Sequence, residues 1–319
     1  MKNSIYFILI GVSFLYIGCT KDKLDSGECI EIDQLTDMQG MPLFHVQYPS
    51  YGVPCFNPNN SEEVLLFYAK ENDGPPHSLI KYNLKTKTYE TFYEGLPQFR
   101  PRWGKNGWIL LPLWNELGND GFNIWKIKSN GDSLTQLTFS GNCHTPDWNI
   151  TSDKFIYKLG FTTPTKYIMA DEFGNFIDTI YSGLASPGSW QHDSLIVNTS
   201  SGKLILGNPY TGEANLIYQV EELSSISNGG AEWINLETII WAHVTGIYKT
   251  NIKTNTTEII KETCNASYYQ LPTYSPQSNK IIFQRIDRME RGSEGGDLHA
   301  DLYIMNIDGS EEEKIEISD

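Results

Sequence analysis

Residues 100–139 read RPRWGKNGWILLPLWNELGNDGFNIWKIKSNGDSLTQLTF. Four apolar runs are separated by three polar breaks. RPRW is a short inner strand and KNG a tight turn. WILLPLW is a second strand and NELGNDG a loop. FNIWKIK is a third strand, SNGD a hairpin turn, and SLTQLTF a fourth strand. Asn-Gly suits a two-residue hairpin because both central residues take positive φ.

The same plan recurs along the chain. An aromatic residue behind a Pro or Gly segment opens each unit: Phe56, Trp103, Trp148, Trp190, Trp233 and Tyr274. The intervals are 47, 45, 42, 43 and 41 residues. A period in the forties is the size of one four-stranded propeller blade. The spacing predicts an all-β, six-bladed β-propeller of four-stranded antiparallel blades over 52–319, with each opening aromatic filling a gap between blades. Alternation such as Ile281 and Phe283 against Ile282 and Gln284 fits sheets packed face to face around an axis.

The last unit carries Pro272-Thr273-Tyr274-Ser275-Pro276, Ile281-Ile282-Phe283 and Leu302-Tyr303-Ile304-Met305-Asn306-Ile307-Asp308-Gly309. Residues 100–138 follow nearly the same form and end Gln136-Leu137-Thr138. These motifs resemble TolB-type propeller repeats, the WD40-like PD40 repeats, in a Bacteroidetes-type lipoprotein. The resemblance covers about residues 50–319 and implies the fold. It implies little about function, because this fold hosts unrelated activities.

Residues 1–18 (MKNSIYFILIGVSFLYIG) carry one Lys, an apolar run from Ile5 to Ile17, and Gly18 before Cys19. That order describes a signal peptide, and the run is too short for a comfortable membrane span. Leu15 to Cys19 resembles a bacterial lipobox, with Tyr16 where a smaller residue is usual. The resemblance implies cleavage before Cys19 and its acylation, which would tie the chain to a membrane in the cell envelope, the outer membrane favoured. Residues 19–30 then read as a polar tether and 31–51 as an extension packing on the propeller. Within it, 42–48 is suited to add an edge strand or to plug one end of the ring.

The net charge is −15, and removal of Lys2 with the leader leaves 23 basic against 39 acidic residues. Nucleic acid is not an expected partner, because phosphate binding needs a basic face. Beyond Cys19 stand Cys29, Cys55, Cys143 and Cys264, with no CxxC. Three pairings are open, and Cys55 and Cys143 read equally well as buried thiols.

Catalytic motifs are missing: there is no GxSxG and no GxxxxGK[ST]. The expected role is therefore binding, with no cofactor and no metal, to a protein or an envelope polymer. The expected surface is the loop face, where the loops entering the inner strands and the loops between second and third strands lie. Candidate ligand-binding residues there are Arg100, Trp114, His144, Arg285, Asp287, Arg288 and His299. Arg285 to Ala300 reads as a long polar insertion, and such loops are often functional. The competing reading is a metal-dependent lyase or hydrolase acting on a polysaccharide. It would use His77, His144 and His299 with Asp287, Glu294 or Asp297.

Overall fold

The computed structural model describes residues 45–46, 50–69, 77–94, 100–114, 121–160, 166–180, 189–190, 196–200, 202–208, 210–220, 230–243, 245–262, 267–289 and 297–317. Cys19, the leader and the tether lie outside these residues. After β1 (His45–Val46), the strands fall into six consecutive antiparallel sheets. The first holds β2 (Ser50–Asn57), β3 (Asn60–Ala69), β4 (His77–Asn83) and β5 (Thr88–Glu94). The second holds β6 (Arg102–Trp103), β7 (Trp108–Trp114), β8 (Phe122–Lys128) and β9 (Thr135–Gln136). The third holds β10 (Cys143–Trp148), β11 (Lys154–Leu159), β12 (Lys166–Asp171) and β13 (Phe176–Ile180).

The fourth sheet has three strands among the described residues: β14 (Ile196–Ser200), β15 (Lys203–Gly207) and β16 (Ala214–Gln219). The fifth holds β17 (Ala231–Trp233), β18 (Thr238–His243), β19 (Gly246–Asn251) and β20 (Thr256–Glu262). The last holds β21 (Ser267–Ser275), β22 (Lys280–Met289), β23 (Asp297–Asn306) and β24 (Glu313–Lys314), with β1 added parallel to β23. Five blades are therefore complete, where the spacing predicts six. In the fourth unit only Ser189 and Trp190 are described at the inner-strand position, and the Ser189 carbonyl accepts from Val197 N–H at 3.2 Å.

Two local devices recur among the blades. The inner strands of the first, third and last blades carry a bulge in which two residues oppose one. The ladder skips from Gly52 to Cys55, from His144 to Asp147 and from Gln270 to Thr273. The skipped pairs are Val53-Pro54, Thr145-Pro146 and Leu271-Pro272. Proline cannot donate to a ladder, so it is accommodated at a bulge. The residue before it takes φ of 54°, 49° and 51° at Val53, Thr145 and Leu271. The second device closes the hairpins between third and fourth strands. Asn83 Oδ1 accepts from the N–H groups of Lys85 and Thr86, Asn208 Oδ1 from Tyr210 and Thr211, and Asn251 Oδ1 from Lys253 and Thr254. These Asx turns explain the Asn-rich breaks in the repeat.

The core is divided among the seams between neighbouring sheets. Phe56, Trp103, Trp148, Trp190 and Trp233 each belong to a different buried cluster, and Tyr274 packs on a sixth. The first and last sheets share one cluster, in which Phe56, Val64 and Tyr82 meet Ile282, Leu302 and Ile315. The ring closes there, with β1 from before the first sheet also lying on the last one. Tyr82 Oη donates to the Glu316 carbonyl at 3.0 Å, Gln284 Nε2 to the Tyr51 carbonyl at 3.2 Å, and Gln277 Nε2 to the Pro58 carbonyl at 2.9 Å.

The predicted long insertion at 285–300 is mostly strand. β22 and β23 stay in register out to Met289 opposite Asp297, with Asp287 opposite His299. Apolar alternation stops near Ile286, but backbone pairing needs no apolar side chain to continue.

Candidate functional site

The residue just before each opening aromatic stands at the axis. These residues are Cys55, Arg102, Asp147, Ser189, Glu232 and Thr273, and all six line one pocket of about 240 Å³. In the first, third and last sheets the bulge lies directly before the axial residue, at Cys55, Asp147 and Thr273, and bends the inner strand there.

Charges around this ring are bonded to one another. Arg102 Nε lies 3.2 Å from Asp147 Oδ1, and its Nη1 lies 3.6 Å from Glu232 Oε2. Asp147 Oδ2 accepts the Trp190 N–H at 2.6 Å. Glu232 Oε1 accepts from Thr273 Oγ1 at 3.3 Å and from Tyr274 N–H at 3.2 Å. Cys55 Sγ accepts the Trp103 N–H at 3.4 Å. Side chains from the first, third and fifth sheets thus receive the N–H of the next sheet's aromatic. In the other direction, the indole N–H groups of Trp148 and Trp233 donate to the Arg102 and Ser189 carbonyls at 3.2 and 2.9 Å. The axis is stitched by side chain and by backbone in alternation.

Arg100 belongs to the same network. Its Nη2 donates to Glu232 Oε2 at 2.7 Å and to the Pro272 carbonyl at 3.1 Å, and its Nε to the Pro54 carbonyl at 3.1 Å. One side chain from the second blade therefore reaches the first, fifth and last. Burial holds the Asp147 carboxyl up at about 6, outweighing the pull of Arg102 and the Trp190 N–H. Burial lowers the Arg100 guanidinium, with the neighbouring charge of Arg102 acting in the same direction.

The pocket opens away from the loop face. Its rim is Pro58, Lys105, Asn149, Ile150, Ser152, Ile234 and Pro276, all in turns that leave the inner strands. These turns are joined: Asn59 Nδ2 donates to the Lys105 carbonyl at 3.1 Å, and Lys105 N–H donates to Ser152 Oγ at 2.9 Å.

The β-propeller domain of the Trilobed protease from Pyrococcus furiosus aligns with a TM-score of 0.52 at 13% identity, over 84% of this chain and 95% of that one. The fold is a β-propeller. Acylaminoacyl peptidase from Pyrococcus horikoshii aligns with a TM-score of 0.55 at 12% identity over 84% of this chain, which spans about half (52%) of the peptidase. TolB from Acinetobacter baumannii is also matched, at 13% identity over 81% of this chain and 52% of that one, with a TM-score of 0.39. At these identities the likeness speaks for the propeller fold alone. No family model matches the chain, and no curated protein matches it.

The propeller disperses the candidate residues read from the sequence. Arg100 is turned into the axis. His144 is 4% exposed, its Nε2 is 3.1 Å from the Gly160 carbonyl and its Nδ1 is 3.3 Å from Thr145 Oγ1. Burial lowers its pKa, which favours the neutral imidazole. Arg285 is buried, 3.6 Å from Glu312 Oε1 and stacked over the Tyr303 ring at 5.0 Å. Asp287, Arg288 and His299 stand on the paired arms of β22 and β23, and their side chains lie outside the described residues. Trp114 is different: it ends β7 at the loop face, 45% exposed, with its ring edge-on to Phe122 at 4.9 Å.

Cys55 and Cys143 are free, buried thiols. Among the described residues, no three His, Cys, Asp or Glu side chains gather as a metal-binding group; of the residues named for the lyase or hydrolase reading, the side chains of His77, Asp287, Glu294, Asp297 and His299 lie outside the described residues. The axial ring was missed in the sequence. Aligning the six aromatics and reading the column before them would have found it.

Proposed function

We propose that this chain is a non-catalytic, TolB-like binding propeller. It has six blades, the fourth completed by an inner strand running through Ser189 and Trp190. It is held on the cell envelope by a lipid on Cys19 and engages a protein or an envelope polymer through its loop face. The observation that carries this reading is Trp114. It is a large aromatic, half exposed and already fixed by Phe122, at the end of a rigid strand. Such side chains lose little freedom on binding and are over-represented among the residues that carry interface energy. The leader and lipobox-like residues before Cys19 support export and anchoring.

A photo-crosslinking amino acid placed at 114 tests the binding face, with position 210 as the control. Tyr210 is also exposed, but it stands in a hairpin on the opposite face. Crosslinks in intact envelopes from 114 and not from 210 are expected. Equal yields from both positions would defeat the loop-face reading. Loss of membrane association in Cys19→Ser checks the anchor separately.

A further inference from the structure

The axial pocket lies on the opposite face from Trp114 and is independent of it. We propose that it is a second binding site, one that takes a small monovalent carboxylate from the hairpin side of the propeller through Arg102 and Lys105.

The charge balance sets the sign. Asp147 and Glu232 are the acidic groups lining the pocket, and Arg102 and Lys105 the basic ones. Glu232 is also bonded from behind by Arg100, which does not line the cavity. The local set is thus three cations against two anions, in a chain whose net charge is −15. One surplus positive charge favours a monoanion over a dianion.

Hydrogen bonding points the same way. Both Asp147 oxygens and both Glu232 oxygens already accept bonds from the protein. A guanidinium has five N–H donors, and the closest approaches of Arg102 to its carboxylates use Nε and Nη1. Arg102 still forms part of the pocket wall. Lys105 is exposed at the rim and makes no ion pair among the described residues. Its backbone is clamped on both sides by Ser152 and Asn59, which fixes where its side chain starts. The remaining capacity is therefore donor capacity, which matches a carboxylate.

The walls limit the rest of the ligand. Trp148, Trp190, Trp233 and Tyr274 line the cavity and offer apolar contact to a compact body. The cavity is about 240 Å³. A single ring or one terminal residue of a chain fits that size.

Titration calorimetry on the full chain tests this with two acids and their neutral amides: benzoate against benzamide, and N-acetylalanine against N-acetylalaninamide. At least one acid is expected to bind about tenfold or more tighter than its amide, the effect of one charge-assisted hydrogen bond. Benzoate alone points to a free small acid, and N-acetylalanine to the terminal carboxylate of a peptide. Lys105→Glu reverses the rim charge at an exposed position and is expected to abolish the preference while leaving the melting temperature in place. Arg102→Lys serves as a second variant, with folding checked by circular dichroism. Acids that bind no better than their amides, or a preference that survives Lys105→Glu, overturn the proposal.

Discussion

At the axis, Arg100, Arg102, Asp147 and Glu232 are largely buried and are bonded to one another and to backbone and side-chain groups of neighbouring blades. At the loop face of the same second blade, Trp114 stands 45% exposed, held by one ring contact. The charged residues of the axis are mostly engaged by the protein itself, and an apolar residue has the surface. Chemical character alone therefore misassigns both. What separates them is whether neighbouring blades supply partners. Inner strands from different sheets converge on the axis, so a side chain there meets groups from several blades at once. A residue at the end of a second strand meets little beyond its own hairpin.

The sharpest way to break this contrast is at Glu232. It bonds Arg100, Thr273 and the Tyr274 N–H, and it faces Arg102. Glu232→Ala leaves two buried guanidiniums short of a counter-charge. Such removals cost about 3–5 kcal/mol, and denaturant unfolding should record a loss of that order. A loss under about 1 kcal/mol, the size typical of exposed pairs, would mean that the axis is solvated like a surface.

Asp147 sharpens the same point through pH. Its folded pKa of about 6 lies above the ordinary value of 3.8. The fold therefore favours the protonated form. This group's contribution is fully present below about pH 4 and is lost as pH rises through 6. A shift of this size corresponds to about 2–3 kcal/mol. Arg102, Arg100 and Glu232 are the charged groups that face it. Asp147→Asn is expected to remove that component from a stability profile between pH 4 and 7. An unchanged profile would place the carboxyl in solvent instead.

The periodic aromatics were legible because seam packing demands one large side chain per blade, at one register. Each of Phe56, Trp103, Trp148, Trp190 and Trp233 duly sits in its own buried cluster. The axial ring was not legible, because Arg102, Asp147 and Glu232 look like ordinary polar residues until the closed ring brings them together. Arg100 precedes β6, whereas His144, expected before its inner strand, lies within β10, and their partners, the Pro272 and Gly160 carbonyls, are set by geometry that no short motif encodes. The 285–300 stretch misled for a related reason. Polarity marks a loop only where backbone pairing stops, and here pairing runs on to Met289 and Asp297.

His144 tests the boundary between the two regions. It lies at the start of an inner strand toward the loop face, but it is buried and bonded through both ring nitrogens. His144→Ala should cost about 1–2 kcal/mol, the scale of one buried hydrogen bond with its orphaned carbonyl. It should leave the crosslinks formed from position 114 unchanged. Loss of those crosslinks in a folded His144→Ala protein would move the binding surface toward the inner-strand loops.

Trp114→Ala should have the smallest effect on stability and the largest on binding. The residue loses one edge-on contact to Phe122, and that edge is at the surface. Aromatic pairs contribute about 0.5–1.5 kcal/mol when buried, and half exposure puts this one at or below the low end. A melting temperature within about 2 °C of the parent is expected for a chain of this size. Loss of stability like that of Glu232→Ala would show that the indole belongs to the seam. Full retention of envelope crosslinks by Trp114→Ala, read from a neighbouring probe position, would show that its exposure serves no partner. The contrast between axis and loop face holds only if burden and binding separate in this way, stability failing with Glu232 and partner capture failing with Trp114.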